Sequence, residues 1–127
     1  MARRPALSKG EMEVARVVWK LGRATMRQAH AAIPAERKMD LATVQTYLRR
    51  LEAKGYVRSN LSGHTRVYAP KVLPTTVIRE TVGDLIDRLF GGEALPLMQH
   101  LIEDHGINAE EISQLRRLLD QLKEKGD

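Results

Sequence analysis

The chain has 127 residues, 43% of them hydrophobic and 29% charged, which excludes a disordered chain and leaves room for one ordinary domain or two small ones. It contains no cysteine, so disulfides, thiolate metal sites and thiol nucleophiles are all excluded, in keeping with a reducing cytosol. The net charge of +5 is polarised: residues 1–71 carry 15 Lys/Arg against 5 Asp/Glu (+10), residues 72–127 carry 6 against 11 (−5), and the basic half suits a polyanion.

The predicted elements begin with Ser8-Lys9-Gly10-Glu11, a capping box in which hydroxyl and carboxylate satisfy free amides at a helix start. Leu7 and Met12 can staple this end, and the helix runs to about Leu21, before Gly22. Val14, Val17, Val18 and Leu21 recur at helical spacing, and Met12, Ala15 and Trp19 widen the stripe, so Trp19 reads as a core anchor. Thr25-Met26-Arg27-Gln28 is a second capping box, opening a short helix that stops at Ile33, ahead of Pro34. A polar loop from Pro34 to Met39 leads to Asp40, which caps a third helix from Leu41 to about Lys54, ended by Gly55.

Two extended runs follow, Tyr56 to Leu61 and His64 to Ala69, joined through Ser62-Gly63 as a hairpin and closed by Pro70. Three helices and a hairpin in this order predict a winged helix-turn-helix. Beyond Pro74 the pattern is helical again, with Ile78, Val82, Leu85, Ile86 and Leu89 forming a stripe up to Gly91-Gly92. A short helix carries Leu95, Met98, Leu101 and Ile102 to Gly106, and Asn108-Ala109-Glu110-Glu111 caps a last one. In it Ile112, Leu115, Leu119 and Leu122 repeat at 3-4-3 spacing, a coiled-coil-like seam. The expected architecture is therefore mainly α with a small β-hairpin wing. A DNA-binding domain over residues 1–72 precedes a three-helix dimerisation region over residues 73–127. So small a helical region cannot cover its own stripes, so Ile78, Val82, Leu85, Leu89, Ile112, Leu115, Leu119 and Leu122 are expected to pack on a second copy.

Function concentrates on the third helix. At about 100° per residue, Val44, Leu48 and Leu51 share the core side, and Ala42, Thr46, Arg49 and Ala53 lie opposite, flanked by Thr43, Gln45 and Arg50. Small residues near the N-terminus followed by hydroxyl, amide and guanidinium groups suit a helix entering the major groove. Gln45 can pair with an adenine edge, Arg49 with a guanine edge, and Thr46 can meet a thymine methyl, with Ala42 and Thr43 close by. Arg27, Gln28, Arg50, Lys54, Arg58 and Arg66 are the expected phosphate contacts; the Arg3-Arg4 arm is a lesser one and His64 is not among them.

Nothing in the pattern suggests an enzyme, a metal or a cofactor. His30, His64, His100 and His105 are scattered, no serine has a Gly-x-Ser-x-Gly setting, and no glycine-rich phosphate loop follows a strand. The five methionines lie at helical spacings among aliphatic residues and read as core filling. No apolar run approaches the roughly 20 residues that span a bilayer, and the basic start lacks a signal-peptide stretch, so a cytoplasmic protein without membrane insertion is expected.

Leu7-Ser8-Lys9-Gly10-Glu11-Met12-Glu13 with Val18-Trp19 resembles the opening of the BlaI/MecI penicillinase-repressor family. Ala42-Thr43-Val44-Gln45-Thr46-Tyr47-Leu48 with Arg50-Leu51 and Lys54-Gly55 resembles its recognition helix, and Arg66-Val67-Tyr68-Ala69-Pro70 is similar to the end of its wing. The resemblance implies a transcriptional repressor that dimerises through its C-terminal helices and binds an inverted repeat in double-stranded promoter DNA. It also implies, for the β-lactam branch, a membrane metalloprotease sensor as partner and cleavage at an Asn-Phe bond, where this chain carries His100-Leu101. The copper-responsive branch's Cys-x-Cys motif is missing here. Two alternatives stand beside this reading: a winged helix that binds a protein partner, and a regulator that senses a small molecule.

Overall fold

Ser8 starts the first helix as its sequence predicts. Its hydroxyl accepts from the Glu11 amide at 3.2 Å while the Glu11 carboxylate accepts from the Ser8 amide at 2.8 Å, and α1 runs Lys9–Leu21. Gly22, at a φ of 81°, closes it by donating its amide to the Val18 carbonyl. The computed structural model describes residues 4–126, so Arg3 of the expected basic arm lies outside the described residues.

Thr25 and Gln28 form the second reciprocal cap, opening α2 at Met26–Ala32, and Ile33 turns extended ahead of Pro34. The polar loop contains one 3-10 turn, Ala35–Arg37. Asp40 accepts from the Thr43 amide at 2.8 Å and begins α3, Leu41–Ala53. Strands β2 (Val57–Ser62) and β3 (Thr65–Pro70) form the hairpin, and Gly63 takes a φ of 65° at the first position of its two-residue loop, where a turn of the II′ type needs glycine. The turn is thus Gly63-His64, one residue later than expected. A two-residue strand, β1 (Ala24–Thr25), adds to the hairpin through Ala24↔Tyr68 and Thr25↔Val67, giving an antiparallel sheet in the order β1-β3-β2. Two residues carry no alternation, so no sequence pattern announced this strand.

Val14, Ala15 and Val18 of α1 and Val44, Leu48 and Leu51 of α3 are sealed from solvent, and Ala29, Ile33, Tyr56, Val57 and Tyr68 complete one core between helices and sheet. Burying such a Val or Leu stabilises the fold by about 1.5–3 kcal/mol each. Trp19 packs against this core, and its indole N–H donates to the Val72 carbonyl at 3.1 Å. The following helix, α4 (Pro74–Phe90), begins with a proline in its first turn and buries Val77. That burial carries the first compact unit to Arg79, past the boundary expected at residue 72.

The second compact unit begins at Glu80. It holds the rest of α4, then α5 (Ala94–His100), a π-turn at Leu101–His105, and α6 (Ala109–Lys125), which Asn108 and Glu111 open with a third capping box. No described residue from Glu80 onward is buried. The architecture is the expected one, mainly helical with a small sheet as wing.

Candidate nucleic-acid interface

Because Val44, Leu48 and Leu51 anchor one side of α3, its other side must face out. Ala42, Thr46, Arg49 and Arg50 are exposed, with Thr43 and Gln45 half-buried on the flanks. The Thr46 hydroxyl donates to the Ala42 carbonyl at 3.0 Å, so its proton is committed to the helix. On one flank the Arg50 guanidinium lies 5.9 Å from the centre of the Tyr47 ring, a cation–π distance. The Tyr47 ring occupies the space beside Gly10, where a Cβ would come within 2.6 Å of it, so glycine lets the two helices meet.

On the other flank an open cleft forms. Gln45 and Arg49 of α3 line it together with Thr25, Met26 and Arg27 at the start of α2, and with His64, Thr65, Arg66 and Tyr68 of the hairpin. Three guanidinium groups from three elements thus border one cleft. Arg66 donates from Nη1 to the Ser59 hydroxyl at 2.8 Å, and Ser59 in turn donates to the Glu52 carboxylate at 2.7 Å. Burial raises the pKa of Tyr68; the nearby Glu52 charge adds to the rise, and Arg66 and Arg49 partly offset it.

Four of the six expected phosphate residues, Gln28, Arg50, Lys54 and Arg58, are not among the residues that line the cleft. Lys54 is turned inward: its ammonium binds the buried Glu11 carboxylate at 2.6 Å and donates to the Ala6 carbonyl at 2.9 Å, so it is not a free surface cation. Arg58 pairs with Ala69 across the hairpin, whereas Arg66 shares the opposite face with Ser59 and Tyr68, so Arg58 points away from the cleft. Gln28 spends its carbonyl oxygen on the Thr25 amide. Arg27 and Arg66 line the cleft, and His64 joins them from the turn.

Burial opposes the charge of Glu11, but hydrogen bonds from Lys54 and Ser8 and the Lys54 charge overcome it, holding the carboxyl below its usual range. Hydrogen bonds from Thr43 hold Asp40 low in the same way. The sequence signalled Glu11 as a cap partner only, and nothing in it signalled Glu52 and Ser59 as partners of Arg66. His30 Nε2 lies 3.0 Å from the Met39 carbonyl, a structural bond between α2 and the loop before α3. Among the described residues no group of three or more acidic or histidine side chains is placed to hold a metal, and no helix is long and apolar enough to cross a membrane.

A helix-turn-helix with an outward polar face, a hairpin wing beside it and guanidinium groups between them defines a winged-helix protein of the nucleic-acid-binding class. Residues 7–121 match the family model described as penicillinase repressor, and the chain belongs to that family, one of transcriptional repressors and not of enzymes. It is 25% identical to the penicillinase repressor of Bacillus licheniformis over 98% of each chain, and 23% identical to the methicillin resistance regulatory protein MecI of Mammaliicoccus sciuri over 91% of this chain and 94% of that one. A solution structure of the DNA-binding domain of the repressor BlaI is similar at a TM-score of 0.51 and 28% identity, covering 59% of this chain and 92% of that one. The monomeric form of Bacillus licheniformis BlaI in complex with the blaP half-operator matches over the same shares, with a TM-score of 0.50 and 28% identity.

Proposed function

We propose that this chain represses transcription by binding an inverted-repeat operator as a homodimer, with α3 in the major groove and the hairpin along the backbone. The cleft carries the proposal: Gln45 and Arg49, able to make paired hydrogen bonds to base edges, stand beside Arg27 and Arg66, able to grip phosphate. Thr46 offers its methyl to a thymine, since its hydroxyl proton is held by the helix. Ala42 and Thr43 line the approach, and Arg50 reaches backbone on the far flank. Lys54, bound to Glu11, and Arg58, on the opposite face of the hairpin from Arg66, take no part in this contact.

The dimer rests on uncovered apolar surface. Ile78, Val82, Leu85, Leu89, Ile112, Leu115, Leu119 and Leu122 are between 37% and 70% exposed, and uncovered aliphatic stripes of this kind mark interaction surfaces. A second copy laid on these stripes would bury them and set two recognition helices on one palindrome. A gel shift with the duplex upstream of the protein's own gene tests the reading: a specific, salt-sensitive shift supports it, and equal binding to random duplex defeats it. Sedimentation of Leu115→Asp with Leu119→Asp tests the dimer, and an unchanged mass removes this seam as the interface.

Release by a membrane metalloprotease sensor belongs to the same reading. The corresponding bond, His100-Leu101, opens the π-turn and both its residues are exposed. Mass spectrometry of protein from cells grown with a β-lactam finds a fragment ending at His100 if this bond is cut, and only intact chain if release is not proteolytic.

A further inference from the structure

Arg66, one of the guanidinium groups that line the cleft, is tied through Ser59 to a carboxylate just outside that lining. Glu52 is the only acidic residue of α3, it is exposed, and it lies on the hairpin side of the helix, where it binds Ser59. The single proton of Ser59 is committed: it donates to Glu52 at 2.7 Å, while the hydroxyl oxygen accepts from Arg66 Nη1 at 2.8 Å. The chain of bonds therefore joins the C-terminal part of α3, the middle of β2 and the outer part of β3. A negative charge on a surface that meets phosphate opposes binding, so its position here needs another reason than affinity.

We infer that Glu52 is a specificity-determining residue, whose carboxylate holds Arg66 through Ser59 in one orientation and repels phosphates that approach out of register. The inference rests on the DNA-binding reading above and deepens it. Arginine has five N–H donors, and the bond to Ser59 occupies one, so Arg66 keeps four for a phosphate while staying tethered. On a matching duplex the tether presents the guanidinium where the phosphate lies, and this ordering offsets the repulsion from Glu52. On random duplex no fixed register exists, Arg66 finds phosphates from many rotamers, and only the repulsion remains. Discrimination built from a repulsive element is the expected strategy where affinity for any phosphate backbone is already high.

The test uses the full chain, a duplex that the parent protein selects from a random-sequence pool, and a random duplex of equal length. Glu52→Gln keeps an acceptor for the Ser59 hydroxyl and removes the charge. It should tighten random-duplex binding about threefold at low salt, the scale of one exposed charge pair, and steepen its salt slope by up to about one, while moving the selected duplex less than about twofold. Ser59→Ala keeps the charge and cuts the tether; it should weaken the selected duplex about threefold and leave the random duplex unchanged. Both variants lower the ratio of the two affinities, from opposite sides. Equal shifts on both duplexes, or no shift in either variant, overturn the role of Glu52 and leave the DNA-binding reading standing. A parent protein that selects no sequence from the pool overturns both.

Discussion

The two units use the same aliphatic vocabulary to opposite ends. In the first, Val14, Val18, Val44, Leu48 and Leu51 are closed off completely, because helices crossing a small sheet can cover one another's stripes. In the second, capping and periodicity are as good, with a full capping box at Asn108 and Glu111, yet Leu89, Leu119 and Leu122 stay more than half exposed. Local signals of equal quality thus give a self-sufficient core in one unit and an unfinished one in the other. A helix is specified by its own few turns, but its burial depends on what else the chain can bring to it.

The comparison breaks first if the core of the first unit is less committed than its burial implies. Leu48→Ala should lower the stability of that unit by about 2–5 kcal/mol, read from urea unfolding, through lost burial and a cavity in a closed site. The second unit should respond instead to protein concentration. If a second copy completes it, a hundredfold increase in concentration should stabilise its unfolding transition by about 2.7 kcal/mol and leave the first unit's transition where it was. Two transitions that both ignore concentration would mean that the second unit stands alone.

Lys54→Met should cost about 1–3 kcal/mol, since it strands the buried Glu11 carboxylate. The pH dependence has a definite sign. The Glu11 carboxyl titrates lower in the folded chain than its ordinary 4.5, so its contribution is complete above that value and is lost as pH falls through the lower, folded one. Glu11→Gln should flatten the acid side of the stability curve measured by urea midpoints. At the interface, Arg49→Ala or Gln45→Ala should cost about 1–3 kcal/mol on the selected duplex and relax preference at one base position. The smallest expected effect is that of Arg66→Ala, a reduction of the salt slope by about one.

What could be read beforehand was what is local. The three capping boxes span four residues each, and the side of α3 that faces out follows from the positions of Val44, Leu48 and Leu51 alone. Glu11 and Lys54 are 43 residues apart, and the Glu52–Ser59–Arg66 chain crosses three elements, so neither exists until the fold closes. Arg58 is a different lesson. Strand residues alternate faces, and any two-residue loop at this turn sends Arg58 and Arg66 to opposite sides of the hairpin, so their separation was already legible in the period of the strand. The π-turn and β1 had no pattern long enough to register.

The bond from the Trp19 indole to the Val72 carbonyl has a practical consequence. This is the chain's single tryptophan, and it leans on the core that ends at Arg79. Its emission spectrum is therefore a lamp fitted in one room: it dims or shifts when the winged helix melts. Far-ultraviolet circular dichroism records the helices of both units, and a gap between the two curves marks helix lost while the core around Trp19 stays closed.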